Sequence, residues 1–121
     1  MVELNLTPHL QQKLEQAQKL QGELEVIVAQ RYQLEVSLKE VEKSLEELEK
    51  VEEGTPIYKH VGSILVRAKS KEEVKKELEE KREMLELRIK AVQRQQELLQ
   101  KKYEEIQRGF AAAYGGGAVS G

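Results

Sequence analysis

The chain has no cysteine and no tryptophan, and its aromatics are one phenylalanine and four tyrosines. Without cysteine there can be neither a disulfide nor a thiolate metal site. The two histidines, His9 and His60, have no second histidine or carboxylate at ligand spacing, so no metal is expected. A surplus of either charge is also missing: 20 basic residues stand against 22 acidic ones, a net charge of −2. Such a balance lacks the clustered positive field that nucleic acid or an anionic membrane requires, and neither is an expected partner. No apolar run approaches the roughly 20 residues that cross a bilayer. Met1-Val2-Glu3 does not open a signal peptide, so the expected location is cytoplasmic. Gly115-Gly-Gly117 follows no strand and precedes no helix, which excludes a phosphate cradle and reads as a flexible tail. There is no nucleophile–base pair either. The paired acids Glu46-Glu47 and Glu79-Glu80 read as solvated helix faces, and the reading is a non-enzyme without cofactor.

What is present is the material of long helices. Charged residues make up 35% of 121 positions, chiefly Glu and Lys among Leu and Gln, which suits helices packed along a thin seam. Thr7-Pro8 starts the first helix, with Thr7 as cap and Pro8 where its missing N–H is harmless. Leu10, Ala17, Leu20, Leu24, Ile27, Leu34, Leu38, Val41, Leu45 and Leu48 then follow a three-and-four spacing over more than five heptads. Lys13 and Arg31 are the polar residues in that seam. The helix is expected to stop at Glu53-Gly54-Thr55-Pro56.

The second helix opens on a capping box, Ser70 with Glu73. Its seam is Val74, Leu78, Leu85, Ile89, Val92, Gln96, Leu99, Tyr103, Ile106 and Phe110. Pairs such as Glu46–Lys50, Glu77–Lys81 and Glu86–Lys90 have the favourable i,i+4 order on the outer faces. Each helix is about 45 residues, or roughly 65–70 Å at 1.5 Å per residue. Matched lengths and a short connection imply an antiparallel coiled coil. Leu24 then lies near Leu99, Leu38 near Leu85, and Arg31 opposite Gln96 as a polar layer that fixes register.

Between the helices the period changes. In residues 54–69, GTPIYKHVGSILVRAK, side chains alternate with period two, and Gly62-Ser63 suits a type II′ turn. Val61 pairs with Ile64, Lys59 with Val66 and Ile57 with Ala68 on one face, and His60 with Leu65 and Tyr58 with Arg67 on the other. A lone two-stranded hairpin is marginal in water and carries two open edges. Ile57, Val61, Ile64, Leu65 and Val66 cannot all hide against two helix ends. The hairpin therefore reads as an assembly module, completed by other hairpins.

Helix, hairpin and helix in this order resemble the β class of the prefoldin family. The resemblance is carried by PIYKHVG at 56–62 followed by Leu65-Val66, and supported by the Gln-rich start of helix one and KKELEEKREMLELRIK at 75–90. It covers roughly residues 4–110. A single hairpin fits the β class, since the α class is expected to have two. The resemblance implies a mostly α fold, a long antiparallel two-helix coiled coil with one β-hairpin at the bend. It further implies a hetero-hexamer of two α-class and four β-class subunits whose hairpins build a β-barrel platform. Ile57, Tyr58, Val61, Gly62, Ile64, Leu65 and Val66 would be the oligomerisation residues. Unfolded polypeptide clients would be held at the coiled-coil tips without ATP and passed to a group II chaperonin.

Apolar residues gather at the free ends of the two helices, where a fraying coil would be expected to shed them: Leu4, Leu6, Leu10 and Leu14 with Ile106, Phe110 and Tyr114. Such patches on a charged protein mark interaction sites, and these seven are the expected client-binding residues. The expected layout is one domain over 1–121: helix 8–53, hairpin 56–69, helix 71–113 and tail 114–121. Two other readings stand beside it. One is a structural coiled-coil adaptor that dimerises through its hairpin and binds a single folded partner. The other is an RNA-binding helical arm, opposed by the interleaved glutamates.

Overall fold

The computed structural model describes residues 7–113 of the chain. Its elements are α1 (Pro8–Glu49), β1 (Tyr58–Val61), β2 (Ile64–Arg67) and α2 (Lys71–Ala113). Two long helices flank one antiparallel hairpin, as the sequence pattern implies. Thr7 caps α1: its Oγ1 accepts from the Leu10 amide at 3.2 Å, and its carbonyl takes the Gln11 amide at 2.9 Å.

The first helix expected over 8–53 ends at Glu49, four residues early. Its last turn tightens, with the Lys50 and Val51 amides bonding the carbonyls of Glu47 and Leu48, three residues back. The Lys71 ammonium, at the start of α2, then takes the Val51 carbonyl at 2.9 Å and the Glu49 carbonyl at 3.5 Å. Carbonyls that a longer helix would have used internally are thus satisfied from outside. Gly54, at φ 84°, serves instead a separate turn closed by the Thr55 amide on Glu52.

The structure divides into two compact units, each taking a piece of both helices. Among described residues the first comprises 7–31 with 92–113. Here Ile27 and Leu99 are buried, and Leu10, Ala17, Leu20, Leu24, Val92, Tyr103, Ile106 and Phe110 are half-buried. Arg31 donates to the Gln96 carboxamide oxygen at 3.2 Å, so the two polar seam residues do face each other. Leu99 shares a surface hollow with Ile27, one turn from Leu24.

The second unit, 32–91, holds the hairpin. Val41, Leu48, Leu85, Ile89 and Ala68 are buried, and Leu34, Leu38, Leu45, Val74 and Leu78 half-buried. The Lys75–Glu49 ion pair at 3.1 Å fixes the antiparallel register. Eleven residues back from Glu49 is Leu38, and eleven on from Lys75 is Glu86, next to Leu85. Every apolar seam position of the heptad pattern is thus withdrawn from solvent, wholly or in part.

Candidate functional site

In the hairpin the register is Tyr58↔Arg67, Lys59↔Val66, His60↔Leu65 and Val61↔Ile64, extended by the Ala68 amide on the Ile57 carbonyl at 2.8 Å. Gly62 has φ 62°, and among the described residues no non-glycine residue has positive φ. A left-handed residue at the first central position alone is the mark of the type II′ turn, which suits the twist of the strands it joins. The order is β1–β2 with no third strand among the described residues, so both edges lie open.

Of the residues expected to drive assembly, Ile57 is half-buried at the root of the hairpin. The others point to solvent: Tyr58 is 59% exposed, Val61 51%, Ile64 58%, Leu65 63% and Val66 37%. Five apolar or aromatic side chains thus stand exposed on eight strand residues of an otherwise charged chain.

The polar groups beneath the hairpin have a definite arrangement. The Lys59 ammonium donates to Glu77 Oε1 at 2.8 Å and Glu73 Oε1 at 3.4 Å, both on α2. Glu73 Oε2 accepts from the Lys69 amide at 2.7 Å, and the Ser70 hydroxyl accepts from the Glu73 amide at 3.1 Å. The capping box therefore forms with one change: Glu73 reaches back to the amide of Lys69 instead of Ser70. The bond to Glu77 raises the Lys59 pKa above its ordinary value, and the Lys69 amide lowers that of Glu73. Lys75 and Glu49 shift in the same two senses through the bond between them.

The expected client surface is partly in view. Leu10, Ile106 and Phe110 are half-buried and share a hollow with His9, Lys13, Glu105, Gly109 and Ala113; Leu14 is exposed. Leu4, Leu6 and Tyr114 lie outside the described residues. Val26, Val28 and Leu98 of the same unit are also exposed, and the heptad pattern gave no reason to single them out. The Lys59 bonds were equally missed, because their partners are 14 and 18 residues away and no local spacing announces them. Glu77 goes to Lys59 and Lys50 to Glu47, instead of the i,i+4 partners expected for them. Among the described residues no cluster of His, Asp or Glu could hold a metal, and no helix is long and apolar enough to cross a membrane.

Two long helices joined by one antiparallel hairpin, its apolar side chains held out to solvent, define a helical coiled-coil protein with a hairpin between its helices. Comparison with known proteins gives the family. The prefoldin subunit family matches residues 11–116, and the chain belongs to it. Prefoldin subunit beta of Thermoplasma volcanium is 45% identical over 114 residues, covering 94% of this chain and 92% of the relative. That of Archaeoglobus fulgidus is 49% identical over 102 residues, 84% of this chain and 87% of the relative. The crystal structure of the prefoldin beta subunit from Thermococcus strain KS-1 superposes with a TM-score of 0.84 at 32% identity, over 92% of this chain and 96% of that one. Similarity is thus to the β class, and membership brings a chaperone co-factor role.

Proposed function

We propose that this chain is a holdase subunit working without ATP in a hetero-hexamer of two α-class and four β-class prefoldin subunits in the cytoplasm. The observation that carries this reading is the hairpin, whose two open edges and five exposed apolar side chains are left for other hairpins to cover. Ile57, Tyr58, Val61, Gly62, Ile64, Leu65 and Val66 form the assembly surface, closing with neighbouring hairpins into a β-barrel platform. Unfolded polypeptide is captured by Leu4, Leu6, Leu10, Leu14, Ile106, Phe110 and Tyr114, and passed to a group II chaperonin. The half-buried state of Leu10, Ile106 and Phe110 supports this: each keeps part of its apolar surface open around the hollow they share.

The test is native mass, alone and with an α-class subunit, together with suppression of aggregation of several unrelated denatured proteins. The reading expects a discrete complex with the α-class subunit and protection of all clients. Protection of none, with tight binding of one folded protein, would favour the adaptor instead. The double variant Val61→Lys with Ile64→Lys should lose the complex and keep nearly full helix content by circular dichroism. A complex of unchanged mass would remove the hairpin from assembly.

A further inference from the structure

We infer that Lys59, clamped by Glu73 and Glu77, is the positioning residue that sets the angle at which the hairpin is offered to its neighbours. This rests on the hairpin being the assembly surface. Of the eight residues in β1 and β2, seven are exposed and Lys59 alone is half-buried. The strands therefore lean on the helices through almost no apolar packing. Ile57 and Ala68 anchor only the root, where the chain enters after the Gly54 turn and leaves at Lys69-Ser70.

Between that root and the turn at Gly62-Ser63, Lys59 makes two side-chain hydrogen bonds to α2. Glu73 is itself fixed, because its other oxygen holds the Lys69 amide and its own amide is held by Ser70. The clamp thus ties the middle of β1 to the first turns of α2 through a carboxylate that has no freedom to follow it. A strand edge recruits a neighbour only along its own direction, so a hairpin free to swing about its root would pay an ordering entropy at each assembly step. Lys59 removes that freedom beforehand.

The groups facing the ammonium are Glu73 and Glu77, with Lys69 beside Glu73. Glu73, with a lowered pKa, holds its part of the clamp above the ordinary carboxylate range and releases it as pH falls through the lowered value. Lys59, with a raised pKa, holds below its ordinary 10.5 and releases only as pH rises through the raised value.

The absence of cysteine makes the test clean, since two introduced thiols are the only labelling sites. Spin labels on Ser63→Cys and Glu80→Cys report the distance from the turn to α2 in the full chain, unassembled. A single narrow distribution is expected, broadening in Lys59→Met and in Glu73→Gln with Glu77→Gln, and narrowing again when Lys59→Glu is combined with Glu77→Lys. With the α-class subunit, Lys59→Met should raise the concentration at which the complex half-dissociates by roughly two- to fivefold, the scale of one partly exposed ion pair. The inference is overturned if Lys59→Met leaves both the distribution and that concentration unchanged while the Val61→Lys, Ile64→Lys variant dissociates the complex. Should the latter variant stay assembled, the assembly surface is wrong, and the label distances still decide whether Lys59 orients the hairpin.

Discussion

Leu85 and Leu87 stand two residues apart on α2, one 7% and the other 62% exposed. At about 100° per residue they point to nearly opposite sides of the helix, and only Leu85 meets the seam. Leu85→Ala should cost on the order of 2–4 kcal/mol through lost burial and an incompletely closed cavity. Leu87→Ala should cost less than about 0.5 kcal/mol. Urea unfolding of the complex, followed by circular dichroism, checks both values. A large effect at Leu87 would mean that a partner covers that face. Residues of this kind were legible in advance, since the heptad spacing alone separates Leu85 from Leu87. The partners of Lys59 were not: a structural role could be read for it in the strand, but nothing short of the folded chain brings it beside Glu73 and Glu77.

At the scale of elements, boundaries follow the terminal hydrogen bonds more than propensity. Residues 50–53 are competent to be helical, yet α1 stops at Glu49, where Lys71 of the other helix takes the Glu49 carbonyl and that of Val51 just beyond it. Sequence reading placed the stop at the nearest Gly-Thr-Pro, having no view of a cation arriving from 20 and 22 residues away. The start of α2 was legible, because Ser70 and Glu73 carry their signal locally. Ser70→Ala should destabilise by about 1 kcal/mol, read from the same unfolding curve. Glu73 adds a pH dependence. Its pKa is lowered on folding, so its contribution is complete above its ordinary 4.5 and disappears as pH falls through the lowered folded value. Glu73→Gln should therefore flatten the loss of stability below about pH 5; an unchanged acid limb would exclude Glu73 as its source. The turn offers a further check. An added Cβ at Gly62 would meet no atom within 4 Å, so Gly62→Ala is opposed by its φ of 62° alone. That strain is about 1–2 kcal/mol, and it should appear as slower assembly with little change in helix content.

For the whole molecule, the proposed capture of unfolded polypeptide requires weak contacts to retain a chain. A client without fixed structure offers no pocket-sized complement, so each apolar contact contributes at most about 1 kcal/mol, in keeping with partial burial at roughly 25 cal/mol per Å². Several subunits holding one chain turn such contacts into retention through effective concentration, provided that assembly places them within reach of it. Capture should then depend on two separable things: the hairpins that assemble the subunits, and the apolar residues around Leu10, Ile106 and Phe110. Deleting residues 1–7 together with 110–121 removes Leu4, Leu6, Phe110 and Tyr114 and leaves the hairpin untouched. The truncated chain should still form the complex with an α-class subunit at the mass expected for its shorter length. It should delay aggregation of a denatured client several-fold less well at equal concentration. Because the contacts are apolar, raising the salt from about 0.05 to 0.5 M, where the Debye length falls well below 10 Å, should change capture little. Full protection by the assembled but truncated complex would move the client site away from these residues. Exposed side chains such as Val26, Val28 and Leu98 would then be the next to test.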